Sequence, residues 1–242
     1  MLLLFDLGGE YWRNYYGAGG STQAYDLTLE KLEWYRNQFE RFVVCCDSRS
    51  KRCDWYPEYK ANRKERPRDA YEALESVEER VSKWKVPVLK CEGYEADDLI
   101  ATLSDQAFLE DVRIVSNDKD LYQLITETTL IATRNGEHGE KDCVDKFGVS
   151  PMAMGDWLAL VGDSADNVQG CPGVGPGKAS ALLQRFGSIE FIKKANPLEL
   201  GSIPKIGPKL VKNILDWDPT LALKLVTLMR DAPVRLNELW KP

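Results

Sequence analysis

Nine acidic residues in this sequence have the residue types and spacing of a divalent-metal site. They occur singly or in the runs GYEADDL, SNDKD and GDSADN, and they are Asp6, Asp47, Glu95, Asp97, Asp98, Asp118, Asp120, Asp163 and Asp166. Like charges gathered in one cleft raise one another's pKa unless cations bind between them. Because oxygen ligands without His or Cys select Mg²⁺ or Mn²⁺, the pattern predicts two such ions that hold a phosphate and activate water.

Each acid, taken singly, is more simply interpreted as a helix cap or a surface charge. Asp98 and Asp166 in particular could be caps or outer groups behind the metal ligands. The set as a whole argues for a site, because its members follow predicted strands or precede predicted helices. The sole histidine, His138, stands in the polar turn NGEHG and is expected to be exposed, so we do not expect histidine as the general base.

Three of these acids follow short apolar runs, and the runs predict buried strands that would position them. The runs cover residues 2–5, 42–46 and 112–115, and they end at or just before Asp6, Asp47 and Asp118. Further strands are predicted at 87–91 and 129–132, and helices at 22–40, 69–84, 95–107 and 121–125. Alternating strands and helices predict an α/β fold with a mostly parallel sheet flanked by helices. In such sheets, sites form beyond the carboxyl ends of the strands.

The pattern changes near residue 151, where strand-like runs give way to helical segments broken by Gly and Pro. GCPGVGPGKASALL and GSIPKIGPKLVKNIL each place a Gly-Pro turn before a lysine-bearing helix, which indicates a weak internal repeat. Backbone N–H groups at such a turn can cradle a phosphate. The sequence therefore predicts a catalytic α/β domain over residues 1–150 and a helical region over residues 151–242.

Residues 49–68 form a basic segment with aromatic residues between the charges. Eight Lys or Arg side chains stand against Asp54, Glu58 and Glu65, and Trp55, Tyr56 and Tyr59 are interleaved with them. Basic residues neutralise nucleic-acid phosphates, and aromatic faces stack on unpaired bases. The alternative is a solvated loop with buried aromatic anchors.

Composition fits a globular protein without a membrane span. The chain has 242 residues, 43% hydrophobic and 29% charged, and none of its apolar runs reaches spanning length. The N-terminal apolar run lacks a basic leader, so we do not expect a signal peptide. Six cysteines without a C-x-x-C pair predict reduced thiols and a cytoplasmic protein. The net charge of −6 at first argues against binding of nucleic acid. If the nine predicted metal ligands are left out of the count, 29 acidic and 32 basic residues remain, and the objection disappears.

In this order, the motifs GYEADDLIATL, SNDKDLYQL and GDSADNVQGCPGVGPGKA, together with the basic WYPEYKANR, resemble the 5′ nuclease superfamily. That superfamily includes flap endonucleases, phage 5′-3′ exonucleases and the 5′ nuclease domain of bacterial DNA polymerase I, and the resemblance runs from residue 2 to about residue 234. It implies a PIN-like catalytic domain with a basic helical arch near residues 50–85, followed by a helix-three-turn-helix DNA-binding element. The implied activity is structure-specific hydrolysis of DNA at 5′ flaps, forks and 5′ ends, which leaves a 5′-phosphate and a 3′-hydroxyl.

The resemblance also implies roles for individual residues. One metal would be held by Asp6, Asp47, Glu95 and Asp97, and the other by Asp118, Asp120 and Asp163, with Asp97 near both and Asp98 and Asp166 as outer ligands. Lys60 and Arg63 would contact the scissile phosphate, and with Asp97 and Asp118 they form the implied catalytic set. Further DNA contacts would come from Arg52, Tyr59, Gly173, Gly175, Gly177 and Lys178. A potassium ion could bind the backbone carbonyls of Cys171 and Val174.

The sequence departs from the superfamily pattern at two places. Leu7-Gly8-Gly9 follows the first aspartate where Gly-Asn or a similar pair is usual, so the loop beside that ligand could differ. The hairpin lysine is Lys178, one position after the usual place, which Gly177 occupies.

Two other functions remain open at this point. A PIN-type RNase would share the acidic sheet without needing the hairpin, and a DNA-junction-binding protein would have lost catalysis. The presence of all nine acids argues against the second. We expect a free-standing monomeric nuclease, since the sequence shows neither a polymerase module nor an evident clamp-binding tail after Trp240.

Overall fold

The computed structural model describes residues 1–240, which form two compact units. The first unit comprises Met1–Lys51, Lys64–His138 and the segment from Leu228 onward, and the second comprises Arg52–Arg63 and Gly139–Thr227. A single boundary at residue 150 therefore differs from the observed division in three ways. The helix after residue 139 belongs to the second unit, as does part of the basic segment, while the segment from Leu228 belongs to the first.

A six-stranded sheet, counted within residues 1–240, forms the centre of the first unit, and its strand order is β3-β2-β1-β4-β5-β6. The strands are β1 Leu2–Asp6, β2 Arg41–Cys45, β3 Val88–Leu89, β4 Val112–Val115, β5 Thr129–Thr133 and β6 Gly136–His138. The pairs among β1 to β5 are parallel, and β6 runs antiparallel to β5. The predicted mostly parallel sheet is confirmed, and β6 is an addition to it.

Helices cover the sheet of the first unit. They are α1 Leu7–Ala18, α2 Ser21–Gln38, α4 Arg68–Ser82 and α5 Ala96–Gln106, with a short 3₁₀ helix at Asp120–Leu124. All five residues of β1 are buried, which explains its continuous apolar sequence. Phe5 packs edge-on against Tyr35 of α2 and Phe42 of β2. Helix α1, which the sequence analysis did not predict, places Tyr11 and Trp12 in the same core.

Residues 229–236 lie along α5. The backbone N–H of Met229 donates to Asp98, and that of Ala232 donates to the hydroxyl of Thr102. Gln106 binds this segment twice, donating to the Val234 carbonyl and accepting the Leu236 N–H. Side chains of α5 thus satisfy the backbone of this segment, which within residues 228–240 has regular secondary structure only at Leu236–Glu238.

The second unit is mostly helical. Its helices are α3 Arg52–Trp55, α6 Glu140–Phe147, α7 Met154–Val161, α8 Pro176–Phe186, α9 Ile189–Lys194, α10 Pro197–Gly201, α11 Pro208–Asp216 and α12 Thr220–Val226. A short antiparallel ladder joins β7 Gly162–Asp163 to β8 Val168–Gln169. Helices α8 and α11 both begin with glycine at the N-cap and proline at the first helical position, as the repeated Gly-Pro sequences suggested.

Helix α3 is held to α12 within the second unit. The Arg52 guanidinium donates to the carbonyls of Leu225 and Thr227, at 2.8 and 2.9 Å, where α12 ends. A cation there satisfies carbonyls that lack helical partners and complements the helix dipole. The ammonium of Lys224 also lies 4.3 Å from the ring centroid of Trp55. These contacts explain why the start of the basic segment belongs to this unit.

None of the helices within residues 1–240 is long and apolar enough to cross a membrane. All six cysteines lie in that part of the chain, and no disulfide joins them.

Candidate metal centre and nucleic-acid interface

Three aspartates lie at one edge of the sheet because three adjacent strands end there. Asp6 is the last residue of β1, which pairs with β2 on one side and β4 on the other. Asp47 and Asp118 stand in the segments that leave those two neighbours. Both of their charges act on Asp6, as expected for carboxylates grouped at the carboxyl edge of a parallel sheet.

The Asp6 carboxylate is buried and held on both oxygens. It is 7% exposed, and it accepts the Gly9 N–H at 2.8 Å and the Ser116 hydroxyl at 2.7 Å. The pKa of Asp6 is raised to about 7: burial is the largest cause, the negative charges of Asp47 and Asp118 add to it, and the two hydrogen bonds oppose it. The sequence analysis missed Ser116, although its place two residues before Asp118 made it a candidate.

Two glycines at the start of α1 leave room for the carboxylates. A Cβ added to Gly8 would lie 2.3 Å from Oδ2 of Asp47, and one added to Gly9 would lie 2.1 Å from Oδ2 of Asp6. Both distances are far below van der Waals contact. The departure noted in the sequence after Asp6 thus has a steric consequence, since the carboxylates occupy space that any other residue's side chain would need.

The N-terminus of α5 gathers a second group of acids. Oxygen atoms of Glu95, Asp97 and Asp98 lie within 4.8 Å of one another. Oδ1 of Asp47 accepts the Ala96 N–H at 3.0 Å, which ties the end of β2 to the first turn of this helix. The positive end of the helix dipole favours negative charge at this point.

Asp98 also has a structural task in this turn. It is fully buried, with Oδ2 accepting the Glu95 N–H at 3.1 Å and Oδ1 accepting the Met229 N–H at 2.8 Å. The first bond is half of a capping box with Glu95. This agrees with the interpretation of Asp98 as a cap or outer group.

The turn after β4 presents Asp118 and Asp120. Oγ of Ser116 accepts the Asp118 N–H at 3.1 Å, and Oδ1 of Asp118 accepts the Asp120 N–H at 2.9 Å. The ammonium of Lys119 lies 3.4 Å from Asp120. Asp118 is exposed while Asp6 is buried, so one edge of the sheet carries carboxylates at different depths.

Asp163 and Asp166 belong to the second unit, together with Lys60 and Arg63. Asp163 ends β7, and its Oδ1 accepts the N–H groups of Ala165 at 2.8 Å and Asp166 at 3.4 Å. Asp166 lies 2.5 Å from the Arg63 guanidinium and 3.9 Å from the Lys60 ammonium. Its carbonyl also accepts the N–H of Lys60, whose φ is +61°. Asp166 therefore holds both predicted phosphate-binding cations.

Two residues predicted to contact DNA are buried instead. Arg52 is 1% exposed and donates to the end of α12, so its guanidinium cannot reach a phosphate without giving up those carbonyls. The prediction for Arg52 is corrected to a structural role. Tyr59 is 7% exposed and its hydroxyl lies 3.4 Å from Asp166, so its ring is closed to base stacking. The alternative interpretation, buried anchors in a basic segment, describes both residues.

The predicted hairpin precedes α8. Gly173 has a φ of +86°, a conformation that favours glycine. The Lys178 ammonium donates to the Gly173 carbonyl at 2.8 Å, and a Cβ at Gly175 or Gly177 would meet open space. The Val174 N–H donates to the Cys171 carbonyl at 3.0 Å, so the two predicted potassium ligands belong to one tight turn.

The environment of His138 differs from the predicted one. It ends β6, it is half-buried, and its Nε2 lies 2.9 Å from the hydroxyl of Thr133. The turn is formed by residues 134 and 135 of a β5–β6 hairpin. The prediction of an exposed turn residue is therefore wrong, because His138 pairs in register with Ile131.

Comparison with known proteins identifies two successive family matches. A family described as "5'-3' exonuclease, N-terminal resolvase-like domain" matches residues 1–148, and one described as "5'-3' exonuclease, C-terminal SAM fold" matches residues 149–239.

Individual relatives agree with these matches. A 5′-3′ exonuclease of Aquifex aeolicus is 36% identical over 207 residues, which are 84% of this chain and 69% of that protein. DNA polymerase I of Rhizobium leguminosarum is 39% identical over 145 residues, and DNA polymerase I of Bacillus subtilis is 34% identical over 193 residues. The chain spans only 14% and 21% of these two polymerases.

Solved structures show the same fold. A T5 D15 protein co-crystallised with metal ions has a TM-score of 0.79 at 22% identity, and the match covers 94% of this chain and 89% of that one. The catalytic core of Rad2 in complex with DNA substrate has a TM-score of 0.60 at 14% identity, with 95% and 77% coverage.

Proposed function

The chain belongs to the 5′-3′ exonuclease family, and from that premise we propose that it is a structure-specific 5′ nuclease acting on DNA at flaps, forks and 5′ ends. The motif resemblance to 5′ nucleases is confirmed by the same matches. One observation carries the proposal: Asp6, Asp47 and Asp118 meet at the carboxyl edge of three adjacent parallel strands. That concentration of carboxylate charge is suited to cations and phosphate and to few other ligands.

The donor set fits two magnesium or manganese ions. Its ligands are carboxylate oxygens, and a buried aspartate with a pKa raised to about 7 gains from a cation beside it. We assign Asp6, Asp47, Glu95 and Asp97 to one ion, and Asp118, Asp120 and Asp163 to the other. When bound, such ions supply positive charge that polarises the scissile phosphate and lowers the pKa of water.

The motif resemblance assigns two cations of the second unit to the same reaction. Lys60 and Arg63 stabilise the charge that develops on the phosphate during displacement of the 3′ oxygen. Asp166 keeps both side chains oriented, since it contacts both. The products are a 5′-phosphate and a 3′-hydroxyl.

The hairpin before α8 is the proposed grip on duplex DNA. The proposed contacts to backbone phosphate come from the N–H groups around Gly173, Gly175 and Gly177 and from the Lys178 ammonium. Contacts to the backbone recognise the shape of DNA and not its sequence. A potassium ion on the carbonyls of Cys171 and Val174 would add charge to the same turn. Solved relatives support a DNA substrate: one is a T5 flap endonuclease in a pseudo-enzyme-product complex with DNA and metal ions, and another is Rad2 with its DNA substrate.

We further place the protein in the cytoplasm as a monomer that serves DNA replication and repair. Six cysteines without a disulfide favour a reducing compartment. The similarity to DNA polymerase I relatives favours a task in replication or repair.

The direct test is cleavage of a 5′-labelled flap duplex with and without Mg²⁺, beside an Asp118→Ala variant. We expect Mg²⁺-dependent cleavage near the junction, absent in the variant. Equal cleavage of single-stranded RNA would favour a PIN-type RNase. Binding without product in both Mg²⁺ and Mn²⁺ would leave a non-catalytic DNA-junction-binding protein.

A further inference from the structure

Glu10 is a fully buried carboxylate for which the proposed reaction has no use. It stands in the first turn of α1, whose N-cap is Asp6. The Lys31 ammonium of α2 lies 2.6 Å from Oε2 of Glu10, and the Arg13 guanidinium lies 2.9 Å from the same oxygen. Burial lowers the pKa of Lys31, and the neighbouring Glu10 raises it.

The other oxygen of Glu10 faces the turn after β4. The side-chain amide of Asn117 donates to Oε1 of Glu10 at 2.7 Å, and Asn117 is exposed apart from this bond. The preceding residue is anchored too, because the Ser116 hydroxyl donates to Asp6 at 2.7 Å. Two consecutive residues of the turn are thus bound to two carboxylates, one at the N-cap of α1 and one in its first turn.

A buried charge removed from water costs free energy unless it is paired and hydrogen-bonded. Lys31 and Arg13 fix the Glu10 carboxylate from one side, which leaves Oε1 at a defined position for Asn117. Hydrogen bonds to a charged acceptor are stronger than those between neutral groups. The arrangement is therefore suited to holding a short turn in one conformation.

We propose that Glu10 is a positioning residue, which fixes the Asp118 turn through Asn117 so that Asp118 meets the metal and phosphate of the sheet edge. The role in metal binding rests on the proposed nuclease function, whereas the anchoring of the turn can be measured without it. Asp118 itself is exposed, and Ser116 and Asn117 provide the side-chain anchors before it.

The test compares Asn117→Ala with Asn135→Ala, which removes another exposed asparagine amide, from the β5–β6 turn. The first readout is amide hydrogen exchange of residues 116–120 in the metal-free protein, which reports local opening. The second is the Mg²⁺ concentration that gives half-maximal single-turnover cleavage of a flap duplex. The melting temperature serves as the measure of a merely structural effect.

For Asn117→Ala we expect exchange of residues 116–120 to become about tenfold faster than in Asn135→Ala, with exchange elsewhere nearly unchanged and the melting temperature lowered by only a few degrees. The half-maximal Mg²⁺ concentration should rise about tenfold, while DNA affinity stays the same. Unchanged exchange in that segment, or an unchanged Mg²⁺ requirement in an active enzyme, would overturn the proposal. If wild type cleaves no DNA, the proposed function fails, and the exchange measurement alone decides the anchoring.

Glu10→Ala tests the other end of the contact. Loss of this carboxylate removes the ion-pair partner of Lys31 and Arg13, so this variant should also lose stability. If it folds, adding Asn117→Ala should not accelerate exchange of residues 116–120 further, because both changes remove one contact. Additive acceleration in the double variant would contradict the proposed link.

Discussion

Asp6 of the first unit and Asp166 of the second unit have partners of opposite kinds. Asp6 is held by the N–H of Gly9 and the hydroxyl of Ser116, and both of these donors are neutral. Asp166 lies within 4 Å of two cationic side chains, Lys60 and Arg63. Neutral donors orient a carboxylate and leave its charge in place, whereas cationic partners cancel it.

The contrast separates residues that attract ligands from residues that position other residues. The pKa of Asp6 is raised first by burial and then by the charges of Asp47 and Asp118, so this carboxylate gains from a cation beside it. Asp166 forms ion pairs with Lys60 and Arg63, and these contacts hold the two cationic side chains in place. An outer role for Asp166, which the sequence resemblance implied, is consistent with these contacts.

The largest effect should come from Asp6→Asn, which keeps the shape of the side chain and removes its charge. We expect the single-turnover cleavage rate to fall by several powers of ten, on the order of 10³ or more. The asparagine can still accept the Gly9 N–H, so the variant should fold. A rate within about tenfold of wild type would place Asp6 outside the metal site.

Gly8→Ala should have the next largest effect, since the new Cβ must displace the Asp47 carboxylate. We expect an activity loss of about a hundredfold, because small misplacements at a reacting centre have large consequences. The matched control is Gly17→Ala in the same helix, where nothing lies within 4 Å of the added Cβ.

Gly17→Ala should leave cleavage unchanged and raise stability by about 0.5 to 1 kcal/mol, since alanine is the better helix former. Equal activities for the two alanine variants in flap cleavage would show that the Asp47 carboxylate tolerates displacement.

Asp166→Asn should have a smaller effect, because it releases Lys60 and Arg63 without removing them. We expect cleavage to fall about tenfold, less than for Lys60→Ala, whose loss should be about 10²-fold. DNA affinity should stay the same or rise, since two cations are freed near the phosphates. A loss as large as that of Asp6→Asn in the same single-turnover assay would make Asp166 a direct metal ligand.

The pH dependence of stability should show the smallest effect. The pKa of Asp6 is about 7 in the fold against 3.8 for the ordinary value. Because the folded state holds this proton more tightly, metal-free protein loses stability as pH rises from about 4 to about 7.

In the presence of a chelator, the free energy of unfolding of Asp6→Asn should therefore rise relative to that of wild type as the pH increases from about 4 to about 7. Excess Mg²⁺ should reduce this difference. A stability difference that stays constant from pH 4 to 7 would mean that Asp6 is ionised throughout.

Sequence reasoning located the strands and the acids because each depends on local pattern. Continuous apolar runs mark β1, β2 and β4, and the aspartates follow at fixed offsets, so the shared edge of the sheet could be inferred. The positions of Asp163 and Asp166 were recognised through the motif GDSADN, and the hairpin through its glycines.

Other features could not be predicted because they depend on long-range contacts. Arg52 looks like any other residue of a basic segment, and only the end of α12, more than 170 positions later, makes it a structural residue. Glu10 likewise looks like a surface charge until Lys31 and Asn117 meet it. Helix α1 was not predicted because Gly8 and Gly9 oppose helix formation. These glycines leave room for the carboxylates of Asp47 and Asp6, which only the structure shows.

Because residues 229–236 lie along α5, the folding of the first unit depends on a part of the chain that is synthesised late. Asp98, Thr102 and Gln106 depend on backbone partners between residues 229 and 236, which leave the ribosome more than 120 residues later. The sheet unit therefore cannot reach its final state during its own translation, and must wait until the intervening helical unit has been made. A nascent chain stalled near residue 150 should expose α5 to chaperones and proteases, and release of residues 229–236 from the ribosome should end that exposure.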